Sequence, residues 1–538
     1  MRRPLATPTL TPNAATMDDV PFDPERTDAR PRELSRRDFL GTATLAGASL
    51  LLPLGAASPL ATPAGRWADG KRVRVSGRVT GPGGGLEGVP VTDGLQVVTT
   101  GADGRFRLAA GVGRGFVYIS TPAGYRIPRS ANGTARFYRR LDPDADEQEV
   151  LFELEPLPVS DEEHAFLLLA DIQTETPEEM RSFHERTVPH LRETAAGLGG
   201  VPTFGLACGD IMYDRLELFD DYERAVSRLD LPFFQVVGNH DLDMGAATDV
   251  GSTATFTRRF GPRYYSFDRG AVHYVVLDDV HWHGSGYLGY LDRDQLTWLE
   301  NDLRHVEPGR RVVVALHIPV LGTSHLRAGR DDPVLRRAVT NRDRLYQLLD
   351  PYRAHIVSGH THENEHSFQG PVHEHVSGTV CGAWWTGPIC ADGTPSGYTV
   401  YRARGESLEW QYRATGKSAD HQLRTYPAGS DPAAPDEFVA NVWDWDPEWT
   451  VVWYEGADRR GRMARRTGRD PLSVELHRGE AKPEKRPWVD PYPTRHLFYA
   501  PAPASDGEVV VEATDRFGRT YSARLPRGGE ARSPVEAG

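Results

Sequence analysis

The sequence predicts an α+β fold, with a central domain of strands and helices set between two smaller domains of strands alone. Three observations predict it. Within residues 165–362, five apolar runs of strand length are each followed by Asp, Asn or His. Segments with apolar residues at helical spacing lie between those runs. On both flanks, period-two alternation broken by Gly-rich and Asp-Gly turns reads as short antiparallel strands.

Composition sets the outer bounds. A chain of 538 residues has room for about two to four domains. Its 39% hydrophobic and 25% charged residues are those of a soluble globular protein. A formal net charge of −13 argues against broad nucleic-acid binding, which relies on Lys and Arg to neutralise phosphates. Three cysteines are too few for a disulfide scaffold or a cysteine-built zinc site.

Taken in order, residues 1–57 read as targeting rather than fold. Ser35-Arg36-Arg37-Asp38-Phe39-Leu40 precedes a mildly apolar run to Leu54, with Ala56-Ala57 beyond. This resembles a twin-arginine export signal, which implies passage of the folded protein through that machinery to the periplasm, envelope or medium. The run contains Gly41, Gly47 and Pro53 and is a poor membrane span. No other apolar run is long enough to cross a bilayer, so no stable span is expected once the signal is removed.

Residues 71–158 alternate from Val73 to Val79, turn at Gly-Pro-Gly-Gly-Gly, and alternate again through Gly88–Gly94 and Thr99–Leu108. The pattern is that of a β-sandwich and resembles the transthyretin-like modules that precede many exported enzymes. Asn132-Gly133-Thr134 fits a glycosylation acceptor, of little consequence beside a bacterial-type export signal.

The central domain is assigned to residues 162–415. Ala165–Ala170 leads into Asp171-Ile172-Gln173, and Phe204–Cys208 into Gly209-Asp210. Phe233–Val237 leads into Gly238-Asn239-His240-Asp241, Arg311–Leu316 into His317, and Ala354–Ser358 into Gly359-His360-Thr361-His362. Polar side chains at strand ends collect at one edge of a sheet, the usual place for a site. Helices are expected over Glu178–Ala195, Asp214–Leu229 and Asp292–His305, with a fourth ending near Asp343–Leu349. Gly261–Asp279 reads as consecutive strands, so the sheets are mixed.

In order and spacing these blocks resemble the signature of the calcineurin-like metallophosphoesterases: Asp-x-His, Gly-Asp, Gly-Asn-His-Asp/Glu, His and Gly-His-x-His. The resemblance implies two sheets packed face to face, helices outside, and metals at one rim. The chemistry of the side chains agrees. Carboxylate, imidazole and amide oxygen suit Mn, Fe or Zn. A shared carboxylate brings two ions to roughly 3.5–4 Å, and a hydroxide between them is a nucleophile for in-line attack at phosphorus. Carried over by position, Asp210 is the bridge, and Asn239, His317 and His360 complete one site. Asp171 and His362 hold the other. His240 is expected to face the substrate as a proton donor, with Asp241 orienting its imidazole.

One block departs, with Gln173 where the family has His. An amide oxygen is the weaker ligand. Tyr213 offers a replacement, since Gly209-Asp210-Ile211-Met212-Tyr213 resembles the Gly-Asp-x-x-Tyr block of purple acid phosphatases, whose Tyr ligates iron. Either residue fits as the extra ligand. His281 and His283 are read as solvated loop residues, and His325 as a loop residue near the cleft. Of His373 and His375, on a strand, at least one is expected to face solvent. Cys208 reads as a small hydrophobe. Cys381 and Cys390 are close enough in sequence to pair after export. Trp384-Trp385 reads as core before pocket lining.

Beyond a polar linker at Tyr426–Asp436, residues 426–527 form a third region of alternating strands, its aromatics read as core filling. The tail from Gly528 is expected to be disordered. The expected function is metal-dependent hydrolysis of phosphate esters, with monoester and diester both open. The competing class is an exported metal-bearing module that binds phosphate or glycan groups without turnover.

Overall fold

The computed structural model describes residues 70–330, 334–480, 482–505 and 507–526. The export-signal residues and the tail from Gly528 lie outside them. No helix among the described residues is long and apolar enough to cross a membrane.

The centre of the molecule is a two-sheet sandwich. One sheet runs Phe233–Val236, Thr203–Cys208, Glu163–Leu169, Gly397–Arg404 and Ser407–Ala414 in spatial order. Its first three strands are parallel and the last two are antiparallel. The second sheet orders Tyr265–Arg269, Val272–Val276, Arg311–Ala315, Arg353–Ser358, Val372–Val376 and Glu365–Gln369. Each parallel strand is buried along its length, which is why the sequence shows near-continuous apolar runs instead of alternation there.

Aromatic side chains from both sheets fill the space between them. Phe166 stacks on Tyr401 at 4.4 Å, Phe234 on Phe267 at 4.1 Å, and Phe204 meets Tyr274 edge-on at 5.2 Å. Burying each such ring contributes roughly 1.5–3 kcal/mol. Helices cover the outer faces. Pro177–Ser182 opens with a capping box, in which Thr176 caps the Glu179 amide and Glu179 reaches back. It continues through a wide turn at Phe183–Thr187 into Val188–Ala196. Arg293–Leu303 and Arg342–Leu349 cover the second sheet, packing Trp298, Leu299, Leu345 and Leu349 against it.

The N-terminal sandwich joins the central core directly. Phe137 lies 4.5 Å from Tyr265, and the Ala135 amide donates to the Phe233 carbonyl at 2.8 Å. The C-terminal region is a pair of four-stranded sheets, with Phe438, Trp453, Phe498 and Val511 in its core. Its aromatics therefore fill a core, as expected.

Candidate metal centre

Three of the sheet strands that carry the blocks end at one rim of the first sheet, and two end beside them at the rim of the second. Five residues here adopt left-handed backbone: Asp171 (φ 46°), Gln173 (φ 44°), Asp210 (φ 47°), His360 (φ 70°) and His362 (φ 52°). Such conformations cost of order 1–3 kcal/mol each for residues with a Cβ, and they cluster where function holds them. Two glycines are required by contact. A Cβ on Gly238 would lie 1.9 Å from the Asp210 amide, and one on Gly359 would lie 2.3 Å from Asp171 Oδ2.

The arrangement brings the expected ligands together. Asp210, His317 and His360 each offer an atom within 4.8 Å of the others. His317 Nδ1 donates to the Cys208 carbonyl at 3.0 Å, which leaves Nε2 facing Asn239 Oδ1, Asp210 Oδ1 (both 3.2 Å) and His360 Nδ1 (3.1 Å). His360 Nε2 donates to the Arg336 carbonyl at 2.8 Å, so its Nδ1 is the inward nitrogen. His362 Nδ1 donates to the Gly382 carbonyl at 2.6 Å. In every case a backbone carbonyl fixes the tautomer and aims the other nitrogen inward.

Beside this set stand two orphans. Asp171 Oδ1 and His362 Nε2 are buried, make no hydrogen bond, and lie 3.5 Å apart. Buried polar atoms without partners are rare and costly. A carboxylate oxygen and an imidazole lone pair aimed at one point fit a cation, so the residues present fit two metal ions. The charges show the same strain. Burial pushes the Asp171 carboxyl up to about 8. Burial would also lower His317, but Asp210 overcomes it and holds that imidazole at about 10. Burial drives His362 down to about 3, leaving it neutral and ligand-competent.

The Gln173 amide nitrogen donates to Asp210 Oδ2 at 2.8 Å, and its oxygen sits 3.6 Å from the Cys381 thiol. The residue thus lies at the Asp210 carboxylate, presenting a donor. Tyr213 packs its ring flat on His240, 4.2 Å between centroids.

One assignment is corrected. Asp241 does not orient His240. Its carboxylate accepts the amides of Ile211, Met212 and Gly238 at 3.0–3.1 Å and so ties the Gly-Asp turn to the Gly-Asn-His turn. Asp214 Oδ1 holds His240 Nδ1 instead, at 2.8 Å. The backbone explains the exchange: Asp241 closes the short turn begun at Gly238, so its side chain points back at that turn. Asp279 was not singled out by sequence either, and it accepts the His317 and Ile318 amides, pinning the next turn.

Other expectations also change. Cys381 and Cys390 are both buried and unpaired, as is Cys208. His373 and His375 are both buried, at 5% and 2% exposure. Residues two apart on a strand share a face, and theirs is the inner face of the sandwich. There they join His355 and His366 in a second imidazole cluster. His355 Nδ1 lies 2.9 Å from His375 Nε2, and His366 Nδ1 lies 3.0 Å from His373 Nε2. His281 pairs with Asp249 at 3.5 Å, His283 is exposed, and His325 bonds the Gly322 carbonyl within its own turn.

Three family models match the chain. They are described as the N terminal of calcineurin-like phosphoesterase (residues 73–157), calcineurin-like phosphoesterase (165–364) and the C terminal of calcineurin-like phosphoesterase (374–521). Among curated relatives, the serine/threonine-protein phosphatase CPPED1 of Bos taurus is 28% identical over 174 residues, covering 30% of this chain and 54% of its own. That of Danio rerio is 30% identical over 185 residues, covering 30% and 55%. The chain spans about half the length of the curated relatives it matches. Among solved structures, a dimetal phosphatase from Danio rerio aligns at 14% identity with a TM-score of 0.31, over 47% of this chain and 96% of that one. Purple acid phosphatase PPD1 from yellow lupin (Lupinus luteus) seeds aligns at 13% and 0.34, over 59% and 56%.

Proposed function

Because the chain belongs to the calcineurin-like phosphoesterases, we propose that it is an enzyme that hydrolyses phosphate esters at a two-metal rim. The observation that carries this reading is the pair of orphaned atoms, Asp171 Oδ1 and His362 Nε2, beside the Asp210–His317–His360 set. Asp210, Asn239, His317 and His360 would hold one ion, and Asp171, His362 and Asp210 the other. Gln173 would support the bridge through its amide. Bound there, the ions supply an activated water and positive charge for the phosphoryl oxygens.

The remaining work falls to the protein's own groups. Asp214 holds His240 Nδ1 and stabilises the imidazolium, so the Nε2 proton can pass to the leaving oxygen. The Tyr287 ring meets His360 edge-on at 6.0 Å. The curated relatives are named phosphatases, which makes a phosphomonoester the first substrate to try. Export is part of the proposal, on the strength of Ser35-Arg36-Arg37-Asp38-Phe39-Leu40 alone. A fusion of residues 1–57 to a reporter, with Arg36 and Arg37 changed to Lys as control, tests it.

The deciding experiment is hydrolysis of an aryl phosphate monoester beside an aryl phosphate diester, with added Mn, by the wild type and Asp210→Asn. Turnover of either ester that is lost in the variant supports the reading. Metal-loaded protein that turns over neither favours the module that binds phosphate or glycan groups without reaction.

A further inference from the structure

The metal centre is built from central-domain strands, yet the aromatic rings behind two of its histidines are themselves held by the C-terminal region. Tyr213 stacks on His240 with the planes 19° apart, and the Arg486 guanidinium lies over the Tyr213 ring, 4.8 Å from its centroid. Trp384 stacks on His362 at 3.7 Å and 14°, and Trp488 meets Trp384 edge-on at 4.6 Å. Two residues of one short segment therefore back two separate histidines, each through one intervening ring. Tyr213, Trp384 and Val489 form a small apolar cluster of their own, with Trp488 packed against it.

The segment is tethered beside the first ligand block. Arg486 Nη2 pairs with Glu175 Oε2 at 2.8 Å and Nη1 with Glu179 Oε1 at 3.0 Å. Arg486 also donates to the Trp384 carbonyl, and Lys485 pairs with Glu179. Glu175 and Glu179 flank the helix start that follows Asp171-Ile172-Gln173. The Arg486 and Glu179 side chains are only 6% and 7% exposed. A buried ion pair is a poor source of stability compared with apolar residues of equal volume, but it accepts only one geometry. A planar guanidinium adds a demand for a parallel ring that lysine does not share. Trp384 itself takes left-handed backbone (φ 53°), as does Arg486 (φ 54°). The chain holds both residues in costly conformations at the place where they meet.

We propose that residues 485–489 are a positioning strap by which the C-terminal domain completes the metal centre. Arg486 sets the plane of His240 through Tyr213, and Trp488 sets the plane of His362 through Trp384. Both are positioning residues that act through the intervening ring. The proposal rests on the hydrolytic reading for its kinetic arm and is independent of it for its metal arm.

Three full-length variants test the strap. Arg486→Met keeps volume and is expected to lower kcat on the aryl phosphate about 10- to 100-fold with KM unchanged, as loss of an outer partner of a site does. Arg486→Lys keeps a positive charge beside Glu175 and Glu179 but not the guanidinium over the Tyr213 ring. Its melting temperature should lie above that of Arg486→Met, which leaves both carboxylates without their guanidinium partner, while kcat stays low. Trp488→Leu is expected to weaken one of the two metal ions about tenfold in a calorimetric titration of the metal-free protein with Mn. Full rescue of kcat by lysine would reduce Arg486 to a structural ion pair and overturn its role. Unchanged affinity for both ions in Trp488→Leu, with the protein folded, would overturn the other half. If the wild type hydrolyses neither ester, the functional reading fails, and the Mn titration still decides the Trp488 half of the strap.

Discussion

Among the described residues, histidines gather in two places: His317, His360 and His362 at the rim, where His360 is half-buried, and the buried His355, His373 and His375 between the sheets. They share a residue type but differ in company. At the rim Asp171 and Asp210 stand among the imidazoles, and His317 is held at about 10. Between the sheets no carboxylate among the described residues bonds His355, His373 or His375, and the cluster's one carboxylate, Asp444, is taken up by His366 Nε2 at 3.0 Å. Arg311 donates to His355 Nε2, and the Arg516 guanidinium lies 5.1 Å from the Trp410 ring that walls the cluster. Since Arg311 occupies Nε2, His355 carries its proton on Nδ1 and gives it to His375 Nε2. That lone pair is already spent. Burial first, and then Arg311 and Arg516, hold His355 far below its ordinary pKa. The difference lies in what the converging atoms are already doing: at the rim Asp171 Oδ1 and His362 Nε2 have no partner, whereas between the sheets His355 spends both nitrogens on Arg311 and His375.

The contrast can be broken most decisively at Asp210. Asp210→Asn is expected to lower ester hydrolysis by about a thousandfold or more, the several kcal/mol that metal assistance supplies. Metal content measured by atomic spectroscopy should fall with it. The same variant sharpens the comparison, for equilibrium dialysis against zinc should then show no tight site. Tight uptake of one zinc in Asp210→Asn, lost again in His375→Asn, would mean that the inter-sheet cluster binds metal without carboxylates.

Next in size are the groups that move protons. His240→Ala is expected to lower kcat about 10²- to 10⁴-fold while leaving metal content near that of the wild type. Asp214→Asn should cost about 10- to 100-fold, acting only through His240. If Asp241→Asn reproduced the kinetic pattern of Asp214→Asn in a fully folded protein, the exchange of roles would be wrong.

Acid stability separates the clusters without any substrate. Unfolded histidines take up protons near pH 6.5, roughly their ordinary pKa, but folded His355, His373 and His375 do not. Their folded pKa values are lowered, so the neutral cluster costs nothing above about pH 6.5, and stability is lost as pH falls below it. The slope is up to about 1.4 kcal/mol per imidazole per pH unit. Urea midpoints measured from about pH 7.5 down to about pH 5 should fall steadily, in EDTA as well as in Mn. A flat midpoint would show that the cluster protonates within the fold. The smallest effect belongs to Arg311→Met, which should make the decline shallower by freeing His355 to protonate.

These two regions also differ in how legible they were. The rim could be read because a strand that ends in Gly and then Asp, Asn or His announces itself locally, and the strands' parallel order brings those ends together. The two-sheet fold was implied by the family resemblance that those blocks carry, and the runs between them indicated only alternating strands and helices. What escaped was decided by contacts distant in sequence. Asp214 reaches His240 only because the turn after Tyr213 folds back across Gly238–Asp241. His366 and His355 meet His373 and His375 only through strand pairing, and the face they share is covered by Tyr401 and Trp410 of the opposite sheet. Arg486 lies on a segment without a local signature, and its partners Glu175 and Glu179 read from sequence as an ordinary helix start.

The left-handed backbone at five rim positions bears on how such a chain evolves. Asparagine and glycine tolerate that conformation better than the residues present, and Asn at position 171 would also remove a carboxyl whose ionisation burial opposes. In EDTA, Asp171→Asn should therefore denature at higher urea than the wild type, although in Mn it should be the poorer enzyme. Selection for a sturdier fold and selection for metal chemistry thus pull on the same side chains in opposite directions. A lineage that ceased to need the reaction would be expected to lose these ligands first, and to gain stability as it lost them.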